Sequence, residues 1–205
     1  MTKHWWHESK YYTALLSFVL AAAFIIGCFA LSYGNAIFLK KSASTKAAAS
    51  KTLLPVGLPT RLMIPSIEVD AAVQQTGIAA SGRMGVPTNF TDVAWYKLGP
   101  KPGEAGSAII DGHLDMATDI NAVFIRLNEL KKGDEIDVLD AKGQKIKFRV
   151  TDTKIYDDTD APLDTIFDKN GPTSRLNLIT CDGAWDQATK NYNKRLVVYS
   201  ERVVD

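Results

Sequence analysis

The sequence contains little cysteine, little histidine and almost no net charge, and each scarcity limits what the protein does. Cys28 and Cys181 are the two cysteines among 205 residues, and they lie in segments of different character. We therefore do not expect them to be bonded to each other. The formal net charge is +1 at pH 7. It comes with no basic patch, which argues against a nucleic-acid partner.

A long apolar run lies near the N-terminus. Residues 13–33 contain no charged side chain, and about 20 apolar residues are enough for a helix to cross roughly 30 Å of hydrocarbon. The neighbouring pairs Trp5-Trp6 and Tyr11-Tyr12 are typical of a membrane interface. We therefore predict an N-terminal tail over 1–12, a single transmembrane helix over 13–34 and a linker over 35–58, with the orientation of the helix left open by these features.

Two other interpretations of the apolar run are weaker. A cleaved secretory signal has a shorter apolar core and a prompt cleavage site of small residues, and neither feature is present. The letters "IIGC" loosely resemble a lipoprotein signal ending at Cys28, but the next residues, "FALSYG", stay apolar. Lysines on both sides of the run do not by themselves favour an inside N-terminus.

Residues 59–205 have the pattern of one mostly β domain without internal repeats. Short β-type runs alternate with Gly, Pro, Asn and Asp, and helical signals are weak near "NAVFIRLNEL" and "APLDTIFDKN". The segment "DEIDVLDAKGQKIKFRV" predicts a hairpin that turns at Lys142-Gly143. Many short strands with few helices predict a closed or nearly closed β-barrel, which leaves no free edges.

Three residues lie where a predicted strand meets a polar segment. His113 follows "SAIID" and is the one histidine of the domain, Cys181 ends "LNLITC", and Arg195 begins "RLVVYS". A thiol acts as a nucleophile when it reaches the thiolate, which a nearby imidazole or guanidinium favours. Taken singly, each residue is more often structural. A cysteine of this kind is commonly a small buried hydrophobe, and an arginine opening a strand is commonly solvated.

Taken together with their neighbours, these residues resemble the sortases, a family of membrane-anchored cysteine transpeptidases. "LITC" followed by "RLVVY" resembles the cysteine and arginine strands of the family, and "GSAIIDGHLD" resembles its strand ending in Gly-His. "RLMIPSIEVDAAV" is similar to the opening strand, and "VAWYKLGPKPGEAGSAIIDGH" is similar to the class F type. The resemblance covers about Thr60 to Val204.

The resemblance implies a closed eight-stranded sortase-type barrel that cleaves an LPxTG-like sorting signal through a thioacyl intermediate. Cys181 is then the nucleophile, His113 the acid and Arg195 the group that stabilises the oxyanion or holds the substrate. Thr180 and Asp111 are expected to bind substrate. No metal or cofactor is required. The implied partners are surface proteins with a sorting signal and an amine from a wall precursor or pilin. The domain is then extracytoplasmic and the N-terminus inside.

The chain departs from the family pattern around its histidine. Asp111 stands where a small residue is usual, and Leu114 stands where threonine is common. In a strand, Asp111 and Asp115 would face the same side as His113 and could stabilise the imidazolium. In the alternative interpretation, Asp115 starts a turn and Asp111 bonds to the backbone. An acidic segment precedes the cysteine strand and lacks the ligand spacing of a calcium loop, so we expect a solvated loop. Its acidic residues are Asp157, Asp158, Asp160 and Asp164.

Two other functions are open from the sequence. An L,D-transpeptidase also uses Cys, His and Arg, but its arginine follows the cysteine closely, whereas Cys181 is followed by "DGAWDQ". A non-catalytic, membrane-tethered β domain that binds a surface partner is the stronger alternative. That alternative predicts no thiol reactivity at Cys181.

Overall fold

A computed structural model of the chain describes residues 55–114 and 122–204. The predicted tail, the predicted anchor and most of the predicted linker lie outside the described residues. Within the described part of the chain, no helix is both long enough and apolar enough to cross a membrane.

Eight strands make up the domain, and each follows a run of β-branched or alternating apolar residues. They are β1 (Pro59–Ile64), β2 (Val69–Thr76), β3 (Val93–Tyr96), β4 (Gly106–Asp111), β5 (Glu135–Asp140), β6 (Lys145–Asp157), β7 (Ser174–Asp186) and β8 (Asn191–Arg202). In residues 55–114 and 122–204, three single helical turns connect them, at Pro65–Ile67, Leu127–Glu129 and Leu163–Ile166. The prediction of a mostly β domain with short helices is confirmed.

The strands close into a barrel in the order β1-β2-β3-β4-β7-β8-β6-β5, with β5 paired to β1. The β2–β3 and β4–β7 pairs are parallel, and the other six pairs are antiparallel. Because the barrel is closed, every strand has a hydrogen-bonded neighbour on both sides, and the sheet has no free edge. The predicted closed barrel is therefore confirmed.

The predicted hairpin is formed by β5 and β6. Ile136 pairs with Phe148, and Val138 pairs with Ile146, and all four side chains are buried in the barrel. Gly143 adopts a positive φ of 77° at the turn, a conformation that glycine reaches without strain. Alternation over these two strands therefore predicted both their pairing and the face that they bury.

The barrel interior holds the main hydrophobic core, and a smaller apolar cluster lies outside it. Phe124, Phe148 and Leu178 are among the fully buried side chains of the main core. The outer cluster is centred on Tyr96, Ile109, Ile166 and Val197. Since successive strand residues face opposite sides, β4, β7 and β8 each contribute side chains to both clusters.

Candidate active site

Three neighbouring strands bring the predicted catalytic residues to one region. β7 pairs with β4 on one side and with β8 on the other. Cys181 lies directly opposite Arg195 across the antiparallel β7–β8 pair. His113 follows β4 by two residues.

The parallel β4–β7 register brings His113 to the level of Cys181. Asp111 pairs with Ile179, an offset of 68 residues, and the same offset relates His113 to Cys181. The Gly112 amide donates to the Ile179 carbonyl oxygen at 3.2 Å. The pairing therefore continues past the end of β4 to the residue before the histidine.

Thr180 reinforces this register from inside the barrel. Its side chain is 0% exposed, and its hydroxyl donates to the Gly112 carbonyl oxygen at 2.7 Å. A buried hydroxyl with a partner of this kind stabilises a local backbone arrangement. Although Thr180 is predicted to bind substrate, its side chain faces the interior and holds the peptide that precedes His113.

Alternation assigns the other predicted residues to the outer face of the barrel. Leu178 and Thr180 are buried inside, so Ile179 and Cys181 face outward. Arg195 shares the outward face of β8 with Val197 of the outer cluster. By the same rule Asp111 shares the outward face of β4 with Ile109, and Cys181 is half-buried on this face.

Two glycines explain the local sequences around the histidine and the cysteine. A Cβ added to Gly112 would lie 2.5 Å from the Phe124 ring, so only glycine allows the end of β4 to pass over that ring. Gly183 has a φ of 81° and lies where the β7–β8 register shifts, between Asp182 and Trp185. The "DGH" and "CDG" sequences thus shape the backbone on either side of the site.

The His113 imidazole is fixed by two contacts. Its Nε2 lies 3.1 Å from the Pro87 carbonyl oxygen, and its ring lies 4.5 Å from the Phe90 ring, centroid to centroid. A carbonyl oxygen only accepts hydrogen bonds, so Nε2 carries a proton in this contact.

The Arg195 guanidinium is held at both of its terminal nitrogens. Nη1 donates to the carbonyl oxygens of Tyr192 at 2.9 Å and Lys194 at 2.6 Å. Nη2 donates to Asn191 Oδ1 at 2.7 Å and lies 3.0 Å from Asp158 Oδ1. The side chain is 18% exposed, so a charged group is fixed at a largely desolvated position beside the cysteine strand.

A second ion pair at this site was not predicted from the sequence. Both terminal nitrogens of Arg83, in the β2–β3 loop, donate to the two carboxylate oxygens of Asp158. Hydrogen bonds from Arg83, together with the charges of Arg195 and Arg83, hold the pKa of Asp158 below its usual value, although burial opposes ionisation. The hydrogen bonds and charge of Asp158 raise the pKa of Arg83, and the charge of Cys181 adds to this effect.

The expectation of a solvated acidic loop is wrong for one of its four residues. The Asp158 side chain is 12% exposed and bonded to two arginines, whereas Asp157, Asp160 and Asp164 are exposed. Two arginines distant in sequence offset the cost of removing this carboxylate from water. Within 55–114 and 122–204, no group of three or more His, Cys, Asp and Glu residues is arranged to hold a metal ion.

Asp111 has an altered acidity. Removal of its carboxyl group from water raises the pKa of Asp111 to about 8, and the positive charge of Arg195 offsets only part of that rise. The group is therefore mostly protonated at neutral pH and is then a hydrogen-bond donor as well as an acceptor. At that pH it supplies little negative charge to a neighbouring imidazolium.

Comparison with known proteins gives one consistent family. A family model described as Sortase domain matches residues 62–203. Sortase D of Bacillus subtilis (strain 168) is 32% identical over 111 residues, which cover 54% of this chain and 50% of the relative. The chain thus spans about half the length of this curated relative.

Solved structures agree with this fold. Sortase C-1 from Actinomyces oris is similar with a TM-score of 0.54 and 26% identity, over 71% of this chain and 73% of that chain. A Clostridium perfringens Sortase D5 transpeptidase is similar with a TM-score of 0.53 and 18% identity, over 72% of this chain and 79% of that chain. The second likeness is one of fold alone.

Proposed function

The chain belongs to the sortase family, and from this premise we propose that it is a cysteine transpeptidase that cleaves an LPxTG-like sorting signal. The main support is that Cys181 and Arg195 lie opposite one another on β7 and β8, and that the β4–β7 register brings His113, two residues past β4, to the level of Cys181. This arrangement offers a nucleophile, a proton carrier and a fixed cation to one substrate.

In the first half of the reaction, the Cys181 thiolate attacks the carbonyl carbon of the threonine in the signal. The Arg195 guanidinium stabilises the oxyanion that forms. The carbon–nitrogen bond to glycine then breaks, His113 protonates the departing amine, and a thioester remains on Cys181. Thr180 acts indirectly, because its hydroxyl holds the peptide that precedes His113.

In the second half, an amine attacks the thioester carbonyl. The amine loses a proton to His113, the carbon–sulfur bond breaks, and Cys181 leaves as a thiolate. The product is a new amide, so the energy of the original peptide bond is kept in the thioester rather than lost to hydrolysis. No metal or cofactor takes part in this scheme.

The partners and location follow as parts of the same proposal. The substrates are surface proteins with a C-terminal sorting signal, and the acceptor is an amine of a cell-wall precursor or pilin. The apolar segment 13–34 spans the membrane once with its N-terminus inside, so that residues 59–205 work outside the cell membrane. The "VAWYKLGPKPGEAG" segment supports assignment to a class F-like group.

The test is a peptide-library cleavage assay with the full chain in detergent. Peptides varied at each position of an LPxTG-like motif are incubated with the protein and an amine, and the products and the protein are analysed by mass spectrometry. We expect cleavage between threonine and glycine, an amide product, and an acyl group on Cys181.

Two outcomes would contradict the proposal. Cleavage products without an acylated Cys181 would exclude the covalent route. The absence of both cleavage and reaction of Cys181 with a methanethiosulfonate reagent would favour the non-catalytic binding domain instead.

A further inference from the structure

The Asp158 carboxylate joins two guanidinium groups that come from different parts of the barrel. Arg83 lies in the β2–β3 loop and contacts both carboxylate oxygens, and Arg195 of β8 contacts Oδ1 at 3.0 Å. The Arg83 side chain is 53% exposed, whereas the side chains of Asp158 and Arg195 are 12% and 18% exposed. The carboxylate is thus largely desolvated, and pairing with both cations compensates its charge.

Asp158 is fixed by its backbone and by a third side chain. It directly follows β6, and its amide donates to the Asn193 carbonyl oxygen at 2.9 Å. Asn191 Nδ2 donates to Asp158 Oδ2 at 3.0 Å. The carboxylate is therefore held against the start of β8 by Asn191 and Asn193, which lie shortly before Arg195 on the same strand.

Arg83 is presented by a tight turn. The Ala79 amide donates to the Arg83 carbonyl oxygen at 2.8 Å, and the Gly82 amide donates to the Ala79 carbonyl oxygen at 2.9 Å. Gly82 has a φ of 79°, which favours glycine at this position. This turn brings Arg83 to Asp158 although the two residues are 75 apart in sequence.

We infer that Asp158 and Arg83 are positioning residues for Arg195, and this inference rests on the proposed function. Arg83 holds the Asp158 carboxylate with two bonds, and the carboxylate holds one edge of the Arg195 guanidinium. Because a guanidinium is planar, fixing both terminal nitrogens also fixes the direction of its Nε–H bond. The pair thereby sets the orientation of the Nε–H donor, which under the proposed function serves the reacting carbonyl of the substrate, and it does so without touching the substrate itself.

The first arm of the test measures kcat and KM on a sorting-signal peptide with the full chain in detergent. Asp158→Asn keeps the side-chain shape but loses the charge, and we expect kcat/KM to fall on the order of tenfold. We expect Arg83→Gln to lower it by a smaller factor. Since Arg83 acts through Asp158, the double variant should be no worse than Asp158→Asn alone. Most of the loss should be in kcat.

Two control variants separate this role from a general loss of charge or stability. Asp157→Asn removes the adjacent exposed carboxylate. Asp70→Asn breaks another arginine–carboxylate pair with two bonds, formed with Arg61 on β1 and β2. Both controls should keep kcat/KM within about twofold of the wild type. Losses for Asp158→Asn and Arg83→Gln that multiply in the double variant, or an Asp158→Asn enzyme as active as the controls, would overturn the inference.

The second arm does not depend on activity. NMR spectra of the arginine guanidinium groups, with the signals of Arg195 assigned by comparison with Arg195→Lys, report whether its terminal nitrogens rotate slowly. We expect slow rotation in the wild type and faster rotation in Asp158→Asn. Unchanged Arg195 signals would overturn the inference. A wild-type protein that cleaves no peptide would count against the proposed function, and this arm would then decide the role of Asp158 by itself.

Discussion

The two faces of β7 and β8 have different compositions, although they belong to the same two strands. Facing inward, Leu178 and Val198 are fully buried in the main core. Facing outward, Cys181 and Arg195 lie opposite one another in half-buried positions. The period of two in a strand thus separates stability from chemistry without separating them in sequence. Substitutions on one face should change the free energy of unfolding, and substitutions on the other should change turnover.

The largest effect is expected for Cys181→Ala. Removing the sulfur removes the covalent route, so cleavage and transfer should both be abolished while the barrel stays folded. Activity is measured on an LPxTG-like fluorogenic peptide, and folding by circular dichroism. Cys28→Ala is the matched control and should leave activity intact. Acyl-enzyme formation by the Cys181→Ala protein would contradict the assignment.

Arg195→Lys is expected to have the next largest effect. An ammonium group has neither the planar fork nor the number of donors of a guanidinium, so it does not reproduce the contacts with Asp158 and Asn191. Losing one preorganised oxyanion donor costs about 100-fold to 1,000-fold in turnover, or about 2.7–4 kcal/mol. The variant should therefore behave more like Arg195→Ala than like the wild type.

Lys194→Ala is the control for Arg195, because consecutive strand residues face opposite sides. Its turnover on the same peptide should stay close to that of the wild type. A loss as large as that of Arg195→Ala, or an Arg195→Lys enzyme with most of its activity, would show that Arg195 has a different role.

The inward face is tested by Leu178→Ala. Leu178 is fully buried, and loss of a leucine side chain from a packed core lowers the free energy of unfolding by at least about 2 kcal/mol. Denaturant unfolding measures this loss, and turnover per folded molecule should change little. Ile179→Ala, on the opposite face, should lower stability less and raise KM. Equal stability losses for the two variants would mean that the two faces are not separated in this way.

The smallest effect concerns Asp111, the acidic residue on the functional face. Its folded pKa of about 8 lies above the ordinary value of 3.8. The stability it contributes is therefore present below pH 3.8 and is lost as pH rises toward about 8. Asp111→Asn removes this loss, so the Tm of the variant should exceed that of the wild type by more near pH 8 than near pH 5.

Thermal unfolding by circular dichroism at the two pH values measures this difference, with exposed Asp157→Asn as the control. A shift of about 2–4 °C corresponds to roughly 1 kcal/mol in a chain of this size. A Tm difference that is the same at both pH values would show that Asp111 is not desolvated in the folded protein.

The sequence predicted the fold where local periodicity determines it. Alternation identified β5 and β6 and the face that they bury. The apolar runs located β4 and the start of β7, but they did not predict that β7 continues past Cys181 to Asp186. β3 was not predicted as a strand on its own pattern, because Val93–Tyr96 is buried at all four positions and therefore shows no alternation.

The sequence predicted only those residues of the site that belong to a recognisable motif. Recognisable letters identified His113, Cys181 and Arg195, but the prediction that Cys181 and Arg195 stand at strand ends is wrong, because both lie within β7 and β8. The β7–β8 pairing sets Cys181 opposite Arg195, and the β4–β7 register brings His113 to the level of Cys181. Arg83 and Asp158 belong to no such motif. They meet because two loops 75 residues apart converge, and no periodic pattern encodes a contact of that kind.

The β4–β7 pairing also determines when the site forms during folding. Cys181 and Arg195 are joined by a local hairpin, whereas His113 reaches Cys181 only when two strands offset by 68 residues come together. Closing such a long loop is slow, and barrels with many non-local pairings fold in milliseconds to seconds. We therefore expect a partly folded chain to bring Cys181 and Arg195 together before His113 reaches them, so that the proposed acid is the last of the three groups to take its place.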